Sequence, residues 1–215
     1  SVAVSGNTAL VGAYLIGGNQ PGKAYVFTRN GVNWTQQQKL TASDGAGGDG
    51  FGVAVALAGD QAIIGAAFDD ISGNGDQGSV YSFTRTGNVW TEQQKFTAAD
   101  AGAGKGLGIA VAIGGETVIA GAAGDDIGAN ANQGSAYVFS TAFPNQTKVL
   151  ASNGATEDNF GLSVAVDGDT VRFTSVAPYR IQVSGRTRSF INAFGEELIV
   201  ENADRGIEAA CQLTG

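Results

Sequence analysis

The stretch FGVAVALAGDQAIIGAAFDD, from Phe51, returns as LGIAVAIGGETVIAGAAGDD from Leu107 and, more loosely, as FGLSVAVDGDTVRFTSVAPY from Phe160. A chain that spells one segment several times must give each copy one local structure. Copies this short hide their apolar faces only by packing on one another. Gly108 follows Gly52 by 56 residues and Gly161 follows Gly108 by 53. The opening SVAVSGNTALVGA falls in the same frame, with Ser1 matching Ala54, Ala110 and Ser163. The units run at about 1–50, 51–106 and 107–159, and a fourth begins at 160.

Inside a unit the period is two. Val53, Val55 and Leu57 alternate with Ala54 and Ala56, which is a strand signal. QAIIGAA is short and continuously apolar, as a strand covered on both faces should be. SVYSF and VWTEQQKFTA follow, separated by a turn at Thr86-Gly87-Asn88. Gly at 34 against Pro at 3 suits short strands joined by tight turns. Four strands in about fifty residues predict an all-β chain of propeller-type blades, each a four-stranded antiparallel sheet.

The order FG…GD…GA…DD…GSxYxF…WTxQQK resembles the FG-GAP repeats of integrin α chains and of many bacterial surface proteins, in their short bacterial form, over Ser1 to about Thr170. The resemblance implies a β-propeller, an extracellular or cell-surface setting and a part in adhesion. Two departures stand out. The GAP triplet reads GAY, GAA and GAA, ending at Tyr14, Ala67 and Ala123. The Asp-rich calcium loop of the integrin repeats is cut to Ala58-Gly59-Asp60 and Gly114-Gly115-Glu116, so that site does not carry over.

Residues 172–215 form a divergent β segment, either a degenerate closing blade or a separate β element. It holds five of the chain's twelve basic residues and the sequence's one cysteine, Cys211. Turns are expected at Ser184-Gly185 and Phe194-Gly195. Propellers of this family commonly have seven blades and this chain supplies about four. The missing Met and the start inside a repeat favour a fragment or a processed chain. The ring is then completed by a longer parent, by a second copy, or by closing as a small ring.

Composition removes whole classes of chemistry. There is no His, the commonest general base and transition-metal ligand. Ser-His-Asp, Cys-His and zinc-His sites cannot be assembled from this chain. A net charge of −8 opposes nucleic acid and anionic membranes, and no apolar run is long enough to insert into a bilayer. Neighbouring carboxylates in repeated loops are a poor match to a glycosidase pair, which comes from different elements. GAGGDGFG and GAGKGLG lack the phosphate-loop pattern. The chain is expected not to be an enzyme.

The strongest polar constellation is FDDISGNGDQG and its repeat GDDIGANANQG. It offers Asp69, Asp70, Asn74 and Asp76, then Asp125, Asp126, Asn130 and Asn132. Oxygen-rich loops of this kind hold hard cations such as calcium. Asp, Asn and Gly also form turns through bonds to their own backbone, and that reading is favoured over a metal site. Asp44, Asp49, Asp100, Glu157 and Asp158 precede the FG positions, with Lys105 where Asp49 would be, and are expected in interblade loops. Trp34 and Trp90 recur at equivalent places, where packing is favoured over sugar stacking. Asn33-Trp34-Thr35 and Asn145-Gln146-Thr147 match the N-glycosylation pattern. The expected work is adhesion or binding of a protein or glycan ligand at the cell surface. The alternatives are a structural subunit that self-associates through open sheet edges, and a carbohydrate-binding module.

Overall fold

The structure, a computed structural model, describes residues 1–14, 19–142, 145–167 and 170–174, with four short strands beyond them. The turns expected at 184–185 and 194–195, and Cys211, lie outside the described residues. Every regular element described is a strand. The first sheet is β1 (Val2–Ser5), β2 (Thr8–Ala13), β3 (Lys23–Asn30) and β4 (Asn33–Leu40), in that order and antiparallel. The second repeats it with β5 (Val55–Ala58), β6 (Gln61–Ala66), β7 (Ser79–Thr86) and β8 (Val89–Phe96). The third does so with β9 (Ala110–Gly114), β10 (Thr117–Ala122), β11 (Ser135–Ser140) and β12 (Gln146–Ala151). A fourth starts with β13 (Ser163–Asp167) and β14 (Thr170–Thr174).

Each meander follows from its turns. Gly59-Asp60 joins β5 to β6 and Gly87-Asn88 joins β7 to β8, both as two-residue hairpins. Gly59 and Gly87 take φ of 57° and 62°, at the first turn position where such hairpins require it. The two hairpins of a blade share one end, because Arg85 N–H donates to the Asp60 carbonyl at 2.8 Å. Arg29 on Asn7 and Thr141 on Glu116 do the same in their blades. The long β6–β7 and β10–β11 loops and the interblade linkers therefore collect at the opposite end.

The first strands of successive sheets are neighbours: β1 meets β5, β5 meets β9 and β9 meets β13. This places the short strands innermost and β4, β8 and β12 outermost, the arrangement of propeller blades. The core sits between blades. Phe51 is fully buried among Leu10, Val26 and Leu40 of the first blade and Ile64, Tyr81 and Phe83 of the second. Its ring meets Tyr81 edge-on at 5.4 Å between centroids. Leu107 and Phe160 fill the corresponding places at the next two junctions.

The glycine that follows each of these residues explains the spelling of the repeat. Gly52, Gly108 and Gly161 take φ of 93°, 95° and 90°. Their carbonyls lie against Gly12, Gly65 and Gly121 of the preceding blade, where any Cβ would overlap the facing oxygen. Gly52 N–H donates to the Gly65 carbonyl of its own blade at 2.9 Å, and Gly108 does the same to Gly121. The FG and GA motifs are thus two halves of one main-chain contact between blades.

Among the described residues the blades do not close into a ring. Val2 and Val4 are exposed, whereas their repeats Val55 and Leu57 pack against the first-to-second blade core. The boundary expected at 171/172 falls inside β14. The chain beyond it adds β15 (Ile181–Val183) to the outer edge of the third blade, antiparallel to β12. The last strands, β16 (Phe190–Ile191), β17 (Glu197–Val200) and β18 (Ala209–Ala210), form a separate three-stranded sheet.

Candidate binding face

At the loop end of the second blade, the segment after β6 folds back on the linker to the third. Gly104, Gly106 and Leu107 donate their N–H groups to the carbonyls of Gly75, Asp76 and Gln77. Glu157, Asn159 and Phe160 repeat this on Ala131, Asn132 and Gln133. Within each loop a tight turn brings Ile71 against Asn74, and Ile127 against Asn130. Asn74 Nδ2 donates to Gln77 Oε1, and Asn130 Nδ2 to Gln133 Oε1.

The paired aspartates divide, as neighbours on an extended chain must. Asp69 and Asp125 point inward and are buried; Asp70 and Asp126 point out and are exposed. Asp69 Oδ2 accepts from Ser79 Oγ and from Tyr81 Oη at 3.1 Å, with Lys95 Nζ at 2.8 Å. Lys95 also reaches Asp44 Oδ2 at 2.7 Å, and Tyr81 Oη donates to Asp44 Oδ1 at 2.8 Å. The third blade builds the same cluster from Asp125, Ser135, Tyr137, Lys148 and Asp100, with Lys148 Nζ 2.6 Å from Asp125 Oδ2. Asp70 Oδ1 accepts from Asp76 N–H at 2.9 Å, and Asp126 Oδ1 from Asn132 N–H at 2.8 Å. Asp76 and Asn132 need the positive φ of 51° and 49° that Asp and Asn tolerate.

One position differs between the clusters. Asp49 and Lys105 are equivalent, and both are buried. Lys105 Nζ bridges Asp125 Oδ1 and Asp100 Oδ2, so the third-blade cluster sets two lysines against two acids. The second-blade cluster has Asp49 instead, with its Oδ2 accepting from Ala46 N–H at 2.6 Å, and only Lys95 as cation. Burial, then the charges of Asp69 and Asp70, push the Asp49 carboxyl above its ordinary value. Burial also acts against Asp44 and Asp100, but hydrogen bonds from lysine and tyrosine outweigh it and hold both below theirs. The same contacts raise Lys95 and Lys148.

The structure therefore gathers all eight candidate ligands at one end of the blades but splits their roles. Asp69 and Asp125 take their compensating charge from lysine. Asn74 and Asn130 brace glutamines, while Asp70, Asp76, Asp126 and Asn132 shape the turns. Among the described residues, no three acidic, His or Cys side chains converge to hold a metal ion. The donor set does not fit a calcium cage formed by one loop, which needs six to eight oxygens. Sequence reasoning missed Lys95, Lys148 and the tyrosines as partners of the inner aspartates. The signal was present, since Asp, Tyr and Lys recur together in both units.

The tryptophans also part company. Trp90 is buried, its indole N–H donating to Gln37 Oε1 at 3.0 Å and its backbone bracketed by the Gln38 amide. Trp34, on the first blade, is 43% exposed. No helix in the described residues is long and apolar enough to cross a membrane.

No curated protein matches the chain. The FG-GAP repeat family does, at residues 1–27, 34–83, 90–139 and 143–171. Two of these stretches begin at the outer strand of one blade and end in the third strand of the next, so each of the two carries one glycine from each of two successive junctions, Gly52 with Gly65 and Gly108 with Gly121. With the repeat, the blades and the junction in register, the chain belongs to the FG-GAP repeat family.

Proposed function

We propose that the protein is a non-enzymatic adhesion or ligand-binding module of the cell surface or extracellular space. Its binding face is formed by loops 67–78 and 123–134 together with linkers 97–107 and 152–160. One observation carries this reading. Asp69 and Asp125, which point inward, are neutralised by lysine, whereas Asp70, Asp76, Asp126 and Glu157 remain exposed. A rigid sheet scaffold thus presents a row of outward carboxylates on loops, the usual site of binding function. The partner is a protein or glycan with complementary donors. Calcium acts in this reading as a bridge shared with the partner, because the outer carboxylates offer too few oxygens alone.

The test is binding to arrays of extracellular proteins and glycans, repeated with Asp70→Asn, Asp76→Asn, Asp126→Asn and Glu157→Gln combined. Loss of the hits supports the face; hits that survive all four changes refute it. A second reading, assembly through the open first blade, is favoured by exposed Val2 and Val4, whose repeats are packed. Sedimentation showing only monomer at high concentration refutes that reading.

A further inference from the structure

At the hairpin end, far from the acidic loops, the first two blades close on an arginine. Arg85 Nε donates to Asp60 Oδ1 at 2.7 Å, and its Nη1 donates to Thr8 Oγ1 of the preceding blade at 3.0 Å. The guanidinium lies 5.2 Å from the centre of the Trp90 ring. The next junction repeats the frame but not the arginine. FTR at Phe27 and again at Phe83 becomes FST at Phe139, so Thr141 stands where Arg85 stands, with the same backbone bond to the turn before it. Glu116 replaces Asp60, and Gln61 replaces Thr8.

What remains is a cleft of about 330 Å³ between the second and third blades. Gln61, Phe83, Thr84, Gln93, Gln94 and Thr141 are among its lining residues. Gln61 Oε1 is the one buried side-chain polar atom without a hydrogen-bond partner among the described residues. A packing gap left by a truncated side chain would not need an unmet acceptor, and a buried one is costly. The acceptor lies on the residue that replaces Thr8, which at the first junction receives the guanidinium. Glu116 is exposed, stands at the place of Asp60 in the repeat, and its main-chain carbonyl accepts from Thr141. The lining carries no cation, and the chain's net charge of −8 favours the approach of one.

We propose that this cleft is a binding site for a guanidinium group, supplied by an arginine side chain of a protein partner. The guanidinium donates to Gln61 Oε1 and pairs with Glu116, as Arg85 does with Thr8 and Asp60. The site is independent of the acidic loop face and stands if that face fails.

The test uses N-acetyl-arginine amide, with the citrulline analogue as neutral isostere, followed by NMR of the Gln61, Gln93 and Gln94 side-chain amides. Saturable shifts of these signals with arginine, and at least tenfold weaker ones with citrulline, are expected. Gln61→Leu should abolish the shifts. Thr141→Arg, which restores the residue of the other blades, should abolish binding and raise Tm by a few degrees. Absence of shifts at millimolar arginine, equal binding of citrulline, or arginine binding undiminished in Thr141→Arg or in Gln61→Leu would each overturn the proposal.

Discussion

Replacing Gly65 by alanine isolates the contact that defines the repeat. Gly65 needs no left-handed backbone, so the change carries no conformational penalty, and alanine in a strand should gain about 0.5–1 kcal/mol over glycine. Against this, the new Cβ would overlap the Gly108 carbonyl oxygen and stand 2.9 Å from its carbon and 3.2 Å from its Cα. The obstacle is main chain, and Gly108 is itself tied by its N–H to Gly121 at 2.9 Å, so it cannot swing aside. Overpacking costs about 1–3 kcal/mol where side chains can adjust, and the fixed backbone places this case at the top of that range or above. A net loss of about 2 kcal/mol follows, a fall in Tm of roughly 4–8 °C for a chain of this size. The matched control is Gly75→Ala, where the nearest atom is Asp70 Oδ1 at 3.7 Å and no left-handed φ is required. That change should be neutral or stabilising by up to about 1 kcal/mol. Urea unfolding of both variants, with m-values compared, decides the matter. A Gly65→Ala protein within about 0.5 kcal/mol of the parent, or no milder Gly75→Ala, refutes the account of the junction.

The two buried clusters should respond unequally to loss of lysine. Lys95→Met strands Asp69 without a cation and should cost about 3–5 kcal/mol, while Lys148→Met leaves Lys105 on Asp125 and should cost clearly less; equal losses in chemical denaturation would contradict the pairing. Asp49 binds its proton more tightly in the fold than in the unfolded chain, so stability is lost as pH rises from 3.8 through its higher folded value. Asp49→Asn keeps an acceptor for Ala46 N–H and should raise Tm at neutral pH but not at pH 3; a gain independent of pH would exclude titration as its cause. Asp44 and Asp100 behave oppositely. Their contribution is complete above 3.8 and fades as pH falls through their lower folded values, so melting scans of Asp44→Asn should show its deficit shrinking in acid. Calcium alone should give neither heat in titration calorimetry nor a rise in Tm, and a fall in Tm on chelation would restore a metal site within one chain.

Much of the fold was legible because period-two alternation and repetition are properties of residue order alone. Val55 and Leu57 announce the face they bury, and Gly59-Asp60 announces the hairpin. The division of Asp69 from Asp70 was half visible: alternation sends one inward, but only the fold shows that Lys95, distant in sequence, meets it. Asp49 and Lys105 looked like interchangeable loop residues, and they do lie in linkers. Both are nonetheless buried, because the linkers are roofed by the neighbouring loop, a long-range event that spacing does not encode. The Gln37 and Gln93 bulges, absent from β12, were invisible for the same reason; register against a partner strand is a relation between segments.

The apposition of Gly12 with Gly52, Gly65 with Gly108 and Gly121 with Gly161 has a consequence for how such arrays diversify. Where side chains space two sheets, every exchange of size tilts one against the other. Here bare peptide touches bare peptide at the hub, so the wedge angle per step is a property of polypeptide geometry. Rims can then be rewritten, an arginine lost or an acid turned into a lysine, without the next step losing its bearing.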